Sequence, residues 1–207
     1  MATSVKQRPV SRRRGRGRIE HLRRRRVRRT MLSAGAVLAL VAVVTVAGLQ
    51  GQGSSGVTVE GGSRTTLLPA GVAGPPFRAP LVGGGTAALD GVEGPVVLAF
   101  WAPWCPACRE EMPVVERLSD DYPGLAFRSV VIWRNHRPGP TPEAFIADTG
   151  ITHPAFLDDG TDALADAYGI TGTPTLYLLD AEHRVARTLQ GVTPEDELRA
   201  AFDALAG

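Results

Sequence analysis

Apolar residues in the C-terminal part of the chain form short runs that predict five strands. VVLAF (96–100) is unbroken, which is typical of a strand buried on both faces of a sheet. LAFRSVVIW (125–133) predicts a second strand, and HPAFLDD (153–159) a short third one. TLYLLD (175–180) and HRVARTLQ (183–190) are joined by a turn region, so they predict an antiparallel hairpin.

Helical patterns occupy the intervals between these strands. CREEMPVVERL (108–118) directly follows the first strand and places apolar residues on one helical face. A second helix is predicted from Pro142, a third over 161–169 with Thr161 as its N-cap, and a fourth after Pro194. The order β-α-β-α-β-α-β-β-α predicts an α/β fold, a central mixed sheet with helices on both faces.

A long apolar run lies further towards the N-terminus. MLSAGAVLALVAVVTVAGL, residues 31–49, has nineteen positions without a charge. As a helix it would be roughly 28 Å long, close to the thickness of a hydrocarbon core. We therefore expect a single transmembrane anchor. The alternative is a cleaved secretory signal ending near Ala47, and on either interpretation the C-terminal part is exported.

Charge divides the chain at this apolar run. Residues 1–30 carry thirteen Lys or Arg against one acid, whereas the rest carries ten Arg and twenty Asp or Glu. Basic residues flanking an anchor hold that flank in the cytoplasm, so the basic run predicts topology rather than nucleic-acid binding. We expect a cytoplasmic tail (1–30), an anchor (31–49), a flexible Gly/Ser/Thr-rich linker (50–76) and one folded domain (77–207) in the cell membrane.

WAPWCPAC (101–108) contains both cysteines of the chain, Cys105 and Cys108. As a structural staple, a disulfide that closes so small a loop would remove little entropy from the unfolded chain. A closed zinc site needs four ligands, and the histidines show no suitable spacing, so we expect no metal and treat them as ordinary loop or surface residues. Redox exchange is the interpretation we favour, with the cysteine pair itself as electron carrier and no other cofactor.

The position of the pair assigns a different role to each sulfur. A helix is predicted to begin at about Cys105, and its unpaired N–H groups would favour the thiolate of that residue. Cys108 follows one turn later and deeper, where it can attack a mixed disulfide. We predict that Cys105 is the nucleophile and Cys108 the resolving thiol.

A second motif, GITGTPTLYLLD (169–180), places Pro174 directly before a strand, where it cannot donate to a sheet ladder. WAPWCPAC and GTPT, with the strand order above, resemble the thioredoxin superfamily over about residues 80–207. The resemblance implies a thioredoxin-like fold in which Pro174 is cis and faces the cysteines. It also implies that Thr173 and Trp104 contact the substrate.

Within this superfamily the chain is most similar to the membrane-anchored TlpA/ResA-like branch, which includes the CcmG-type proteins of cytochrome c maturation. The anchor, an extra segment at about residues 134–160, and CREEMP carry the resemblance. It aligns Glu111 with the active-site glutamate of the branch. Thioredoxin has a buried aspartate where this chain has Ala99, so Glu111 becomes the candidate for proton transfer to Cys108. The alternative is a solvated helix glutamate, which suits Glu110 better.

These patterns predict a single-pass, extracytoplasmic thiol–disulfide oxidoreductase. Its expected partners are thiols and disulfides of exported proteins, apocytochrome c among them, and a membrane electron-transfer partner. We favour a reductase. Two alternatives stay open: an oxidase that donates disulfides to exported proteins, and a copper-handling chaperone, which the two-residue cysteine spacing disfavours.

Overall fold

The computed structural model describes residues 56–207. The elements are β1 (Thr58–Val59), β2 (Phe77–Pro80), β3 (Thr86–Ala88), a 3-10 turn (Leu89–Gly91), β4 (Val96–Trp101), α1 (Pro106–Ser119), β5 (Ala126–Val131), α2 (Pro142–Thr149), β6 (Ala155–Leu157), α3 (Ala163–Ala167), β7 (Thr175–Leu179), β8 (Val185–Gln190) and α4 (Glu195–Ala206). In this part of the chain no helix combines the length and apolar character needed to cross a membrane. The predicted anchor (31–49) and basic tail (1–30) lie outside it.

The main sheet has five strands in the order β6-β5-β4-β7-β8. The strands β4, β5 and β6 are parallel, whereas β7 is antiparallel to β4 and β8. From β4 onwards the element order matches the prediction from the sequence. The predicted mixed sheet with flanking helices is therefore confirmed.

β4 lies at the centre of the sheet, and all six of its residues are buried. Val97, Ala99 and Trp101 face a core shared with α1, α2 and α4. The alternate residues of β4 face a second core with α3 and β2. An unbroken apolar run is needed here because both faces of the strand exclude water.

The flexible linker predicted over 50–76 is wrong for residues 57–76. β1 pairs with β2, and Leu68 is buried in the second core. The Leu68 N–H donates to the Tyr177 hydroxyl at 2.9 Å, and the Gly71 N–H donates to the Val185 carbonyl at 2.8 Å. Composition favoured a disordered segment, but partners distant in sequence bind its backbone, so the folded domain includes residues 57–76 as well as 77–207.

Gly169, at the end of α3, permits this packing. Its φ is +65°, and a Cβ there would overlap the carbonyl oxygen of Thr66 and come within 2.6 Å of the carbonyl carbon. We expect Gly169→Ala to lower the free energy of unfolding by roughly 3 kcal/mol, because a left-handed backbone and a backbone clash act together. Chemical denaturation of the full chain measures this loss.

Gly150→Ala is the matched control. Gly150 is also left-handed, with φ at +77°, but a Cβ there would meet nothing within 4 Å. Its expected cost is about 1 kcal/mol, from the backbone alone. Equal losses for the two variants would contradict the packing of Thr66 against the domain.

The start of α3 also differs from the prediction. We expected Thr161 as the N-cap, but the helix begins at Ala163. The buried carboxylate of Asp158 instead accepts from the N–H groups of Leu164 at 2.9 Å and Ala165 at 3.0 Å. Because this capping residue precedes the helix by five positions, the usual N-cap pattern does not detect it.

Candidate active site

The two cysteines lie at the junction between the central strand and α1. β4 ends at Trp101, and Cys105 is the N-cap of α1. Cys105 and Cys108 are joined by a disulfide, with their Cα atoms 5.3 Å apart. Cys105 is 5 % exposed and Cys108 is 0 % exposed, so Cys105 is the outer sulfur and Cys108 the inner one, as expected.

The helix start supplies one hydrogen-bond donor to the outer sulfur. The Cys108 N–H donates to Cys105 Sγ at 3.1 Å. Pro106, at the first helical position, has no N–H to add. No acidic side chain occupies the first turn of α1. An N–H donor at a helix N-terminus favours the thiolate over the thiol, so this geometry suits Cys105 as a nucleophile.

The loop before β7 approaches the same sulfur. The Thr173–Pro174 peptide bond is cis, as the resemblance implied. The carbonyl oxygen of Thr173 lies 3.5 Å from Cys105 Sγ. The Pro174 carbonyl accepts from the Gly191 N–H at 2.9 Å, which ties this loop to the end of β8. The fold therefore brings Thr173 and Pro174 to the cysteines from 65 or more residues away in the chain.

Glu111 is buried, with only 1 % of the residue exposed, so the alternative of a solvated helix glutamate does not apply to it. Its Oε2 accepts from the Thr193 N–H at 2.9 Å, whereas Oε1 is buried without a partner among the described residues. Burial raises the pKa of Glu111, and the Thr193 hydrogen bonds oppose this only in part. Glu111 thus holds its proton at higher pH than a free glutamate does. The sequence marked Thr193 only as a cap of the last helix and did not point to its contact with Glu111.

Trp104, directly before Cys105, is fixed by the loop that follows β5. Its Nε1 donates to the Trp133 carbonyl at 2.7 Å. The guanidinium carbon of Arg137 lies 4.7 Å from the centre of its ring, in cation–π contact. A Cβ on Gly139 would come within 2.8 Å of Trp104 Cβ, so only glycine permits this approach. The extra segment at about 134–160 was the sequence signal for this loop, but the residues that contact Trp104 were not identified.

A groove of about 380 Å³ opens beside Cys105 between α1 and this loop. Four prolines contribute much of its wall: Pro103, Pro106, Pro138 and Pro140. Cys105 and Trp104 line it as well. The groove is therefore a route by which another molecule can reach the outer sulfur.

The expectation that the histidines are ordinary loop or surface residues is wrong for His153. Its side chain is 7 % exposed. Nδ1 lies 2.7 Å from Glu116 Oε2, and Nε2 lies 2.7 Å from the hydroxyl of Ser129. These contacts tie α1 to β5 and to the segment before β6. Burial raises the pKa of Glu116, but the hydrogen bonds from His153 and Thr152 outweigh it and lower the pKa. His153 thus braces the helix that carries the cysteines.

Comparison with known proteins shows which family the chain resembles. The Redoxin family model matches residues 69–205. The thiol-disulfide oxidoreductase ResA of Halalkalibacterium halodurans is 31 % identical over 96 residues, which are 46 % of this chain and 53 % of ResA. The thioredoxin-like protein YneN of Bacillus subtilis is 30 % identical over 132 residues, 62 % of this chain and 76 % of YneN. The match thus spans only about half the length of ResA.

Solved structures share the fold. A putative thiol:disulfide interchange protein DsbE from Chlorobium tepidum is 26 % identical, with a TM-score of 0.59, over 68 % of this chain and 99 % of that one. The described domain thus has the thioredoxin-like fold, and its cysteine pair is that of a thiol–disulfide oxidoreductase. A family match over residues 69–205, more than half of the chain, shows that this protein belongs to the Redoxin family.

Proposed function

We propose that this protein is a membrane-anchored thiol–disulfide oxidoreductase that reduces disulfides of exported proteins. The observation that carries the proposal is the arrangement of the two sulfurs. Cys105 lines an open groove and accepts a helix N-terminal N–H, while Cys108 is fully buried behind it. An outer nucleophile backed by an inner thiol is the arrangement that disulfide exchange requires.

The first step is attack by the Cys105 thiolate on one sulfur of the client disulfide. The client S–S bond breaks, a mixed disulfide forms between Cys105 and the client, and the other client sulfur leaves as a thiolate that takes up a proton. The Cys108 N–H, 3.1 Å from Cys105 Sγ, stabilises the attacking thiolate. In this step Thr173 would pair with the client backbone and Trp104 would contact its side chains.

The second step releases the client. Cys108 loses its proton and attacks Cys105 Sγ, which forms the Cys105–Cys108 disulfide and frees the second client thiol. Two electrons have then passed from the protein dithiol to the client disulfide. Glu111, three residues after Cys108 on α1, is the proposed proton acceptor, since its raised pKa brings it closer to that of a thiol. Ala99 in the central strand offers no carboxylate for this purpose.

A further reductant is needed for turnover, because each cycle leaves the protein oxidised. We propose a dithiol partner in the membrane that returns two electrons to the Cys105–Cys108 disulfide. Among exported clients, apocytochrome c is chemically suitable, since haem attachment requires its cysteines as free thiols. The similarity to the thiol-disulfide oxidoreductase ResA supports the exchange reaction itself.

The proposed location follows from residues 1–49. We expect the basic N-terminus to remain cytoplasmic and the redox domain to lie outside, held by the apolar run 31–49. Alkaline phosphatase fused after Gly207 should be active, because it needs an oxidising compartment, and the fusion should sediment with membranes.

A fluorescent reporter that folds only in the cytoplasm serves as the opposite control and should stay dark after Gly207. Activity of that reporter alone would refute export. A soluble form that begins near Ala47 would refute the anchor but leave export intact.

A further inference from the structure

Charged side chains lie on the α1 wall of the groove beside Cys105 and next to its opposite wall. On the α1 wall, Arg109 is paired with Asp148, and Glu110 is exposed without an ion-pair partner in residues 56–207. Beside the opposite wall, next to the groove-lining Pro138, Arg137 is exposed and makes neither an ion pair nor a side-chain hydrogen bond within the same residues. The cation contributed by the loop is therefore free to bind another molecule.

Arg137 is the free cation that contacts Trp104, which lines the groove. Its guanidinium stands 4.7 Å from the ring of Trp104, the residue that precedes Cys105. Glu110 follows Cys105 by five positions on α1, a rise of roughly 7.5 Å along the helix axis. A guanidinium that already stacks on a ring loses less side-chain entropy on binding than a freely rotating one. Its N–H groups can form two parallel hydrogen bonds with a carboxylate.

Resting on the proposed function, we propose that Arg137 selects clients that carry an acidic side chain near the cysteine under attack. The occupant of the groove is the client polypeptide segment that adjoins this cysteine. The four prolines give the walls a rigid, apolar surface without N–H donors, which suits the body of an extended peptide. Arg137 then supplies the polar contact that distinguishes one client from another.

A panel of symmetric peptide disulfides tests this proposal. Three peptides share one sequence except for the positions that flank the cysteine, which are both Asp, both Asn or both Lys. Each peptide is joined to its own copy, so that attack on either sulfur gives the same product. The pre-reduced full chain in detergent reduces each peptide in a single turnover, and rates are divided by those of dithiothreitol to remove intrinsic peptide reactivity.

We expect the wild-type protein to reduce the Asp peptide about fivefold faster than the Lys peptide, the upper range for an exposed ion pair. Arg137→Glu should invert this order, and 1 M NaCl should shrink the wild-type preference. Arg78→Glu is the matched control, since Arg78 is exposed on β2, does not line this groove and does not stack on Trp104. It makes the same change in net charge and should keep the wild-type ratio.

Comparing peptides within one variant cancels any effect of Arg137 on the Cys105 thiol itself. Equal normalised rates for the three peptides, or an unchanged ratio in Arg137→Glu, would overturn the inference while leaving the proposed function intact. Failure of the reduced wild-type protein to consume any peptide disulfide would overturn the proposed function and this inference with it.

Discussion

Cys108→Ser should accumulate covalent complexes with exported proteins through Cys105, whereas the wild-type protein should show almost none. The substitution removes the only thiol in the chain that can attack the mixed disulfide. Cys105 remains at the groove and keeps the N–H of residue 108 as a donor to its sulfur. Non-reducing electrophoresis of membranes after acid quenching, followed by detection of the protein, measures the trapped fraction.

Cys105→Ser is the matched control, because it also leaves one cysteine in the chain. The remaining Cys108 is 0 % exposed and should trap almost nothing. The expected difference is large because the cysteine that remains in Cys108→Ser lines the groove, whereas the cysteine that remains in Cys105→Ser is buried. Equal trapping by both variants would contradict the assigned roles.

The elements that surround the cysteines could be predicted because their signals are local. The unbroken run at 96–100 identified the buried central strand, and the hairpin of β7 and β8 followed from its turn. The two cysteines stood at the predicted helix start. Pro174 was associated with them only through the family resemblance, since no local pattern brings residues so far apart in the chain together.

The rest of the site depends on contacts that a local pattern does not encode. Residues 57–76 have a linker-like composition, yet they fold because Leu68 and the backbone around it find partners more than 100 residues away. Burial of Glu111 likewise depends on Thr193, which is 82 residues distant. The contact between Arg137 and Trp104 results from the path of a loop, and glycine at 139 is needed for that path.

The direction of electron transfer depends on how strongly the protein stabilises the Cys105 thiolate. A strongly stabilised thiolate favours the dithiol form and makes a protein an oxidant. Here one N–H donates to Cys105 Sγ, Pro106 offers none, and no histidine lies between the cysteines. The guanidinium of Arg137 is exposed, so solvent and salt screen its charge. We therefore expect a comparatively stable disulfide and a reducing dithiol.

Glu111 should add to this reducing character in a pH-dependent way. Once ionised, its carboxylate disfavours a nearby thiolate through like-charge repulsion. This contribution needs both the carboxylate and a thiolate, so it is absent in acid and grows with pH as both groups ionise; burial, which raises the pKa of Glu111, moves its onset to higher pH. Glu111→Gln should accordingly match the wild-type reduction potential at low pH and become less negative than wild type at higher pH. Coincident potentials across the pH range would assign Glu111 a purely structural role.

The reduction potential of the Cys105–Cys108 pair tests the central claim most directly. The full chain is equilibrated in detergent with dithiothreitol redox buffers at pH 7, and the reduced fraction is counted by thiol alkylation and mass spectrometry. Reference values are about −270 mV for thioredoxin and about −120 mV for the strong oxidant DsbA, and about 30 mV changes the equilibrium tenfold. If the protein is a reductase, we expect a potential of about −230 mV or more negative, towards the thioredoxin end of the scale. A potential near about −120 mV would contradict it and make the protein a disulfide donor.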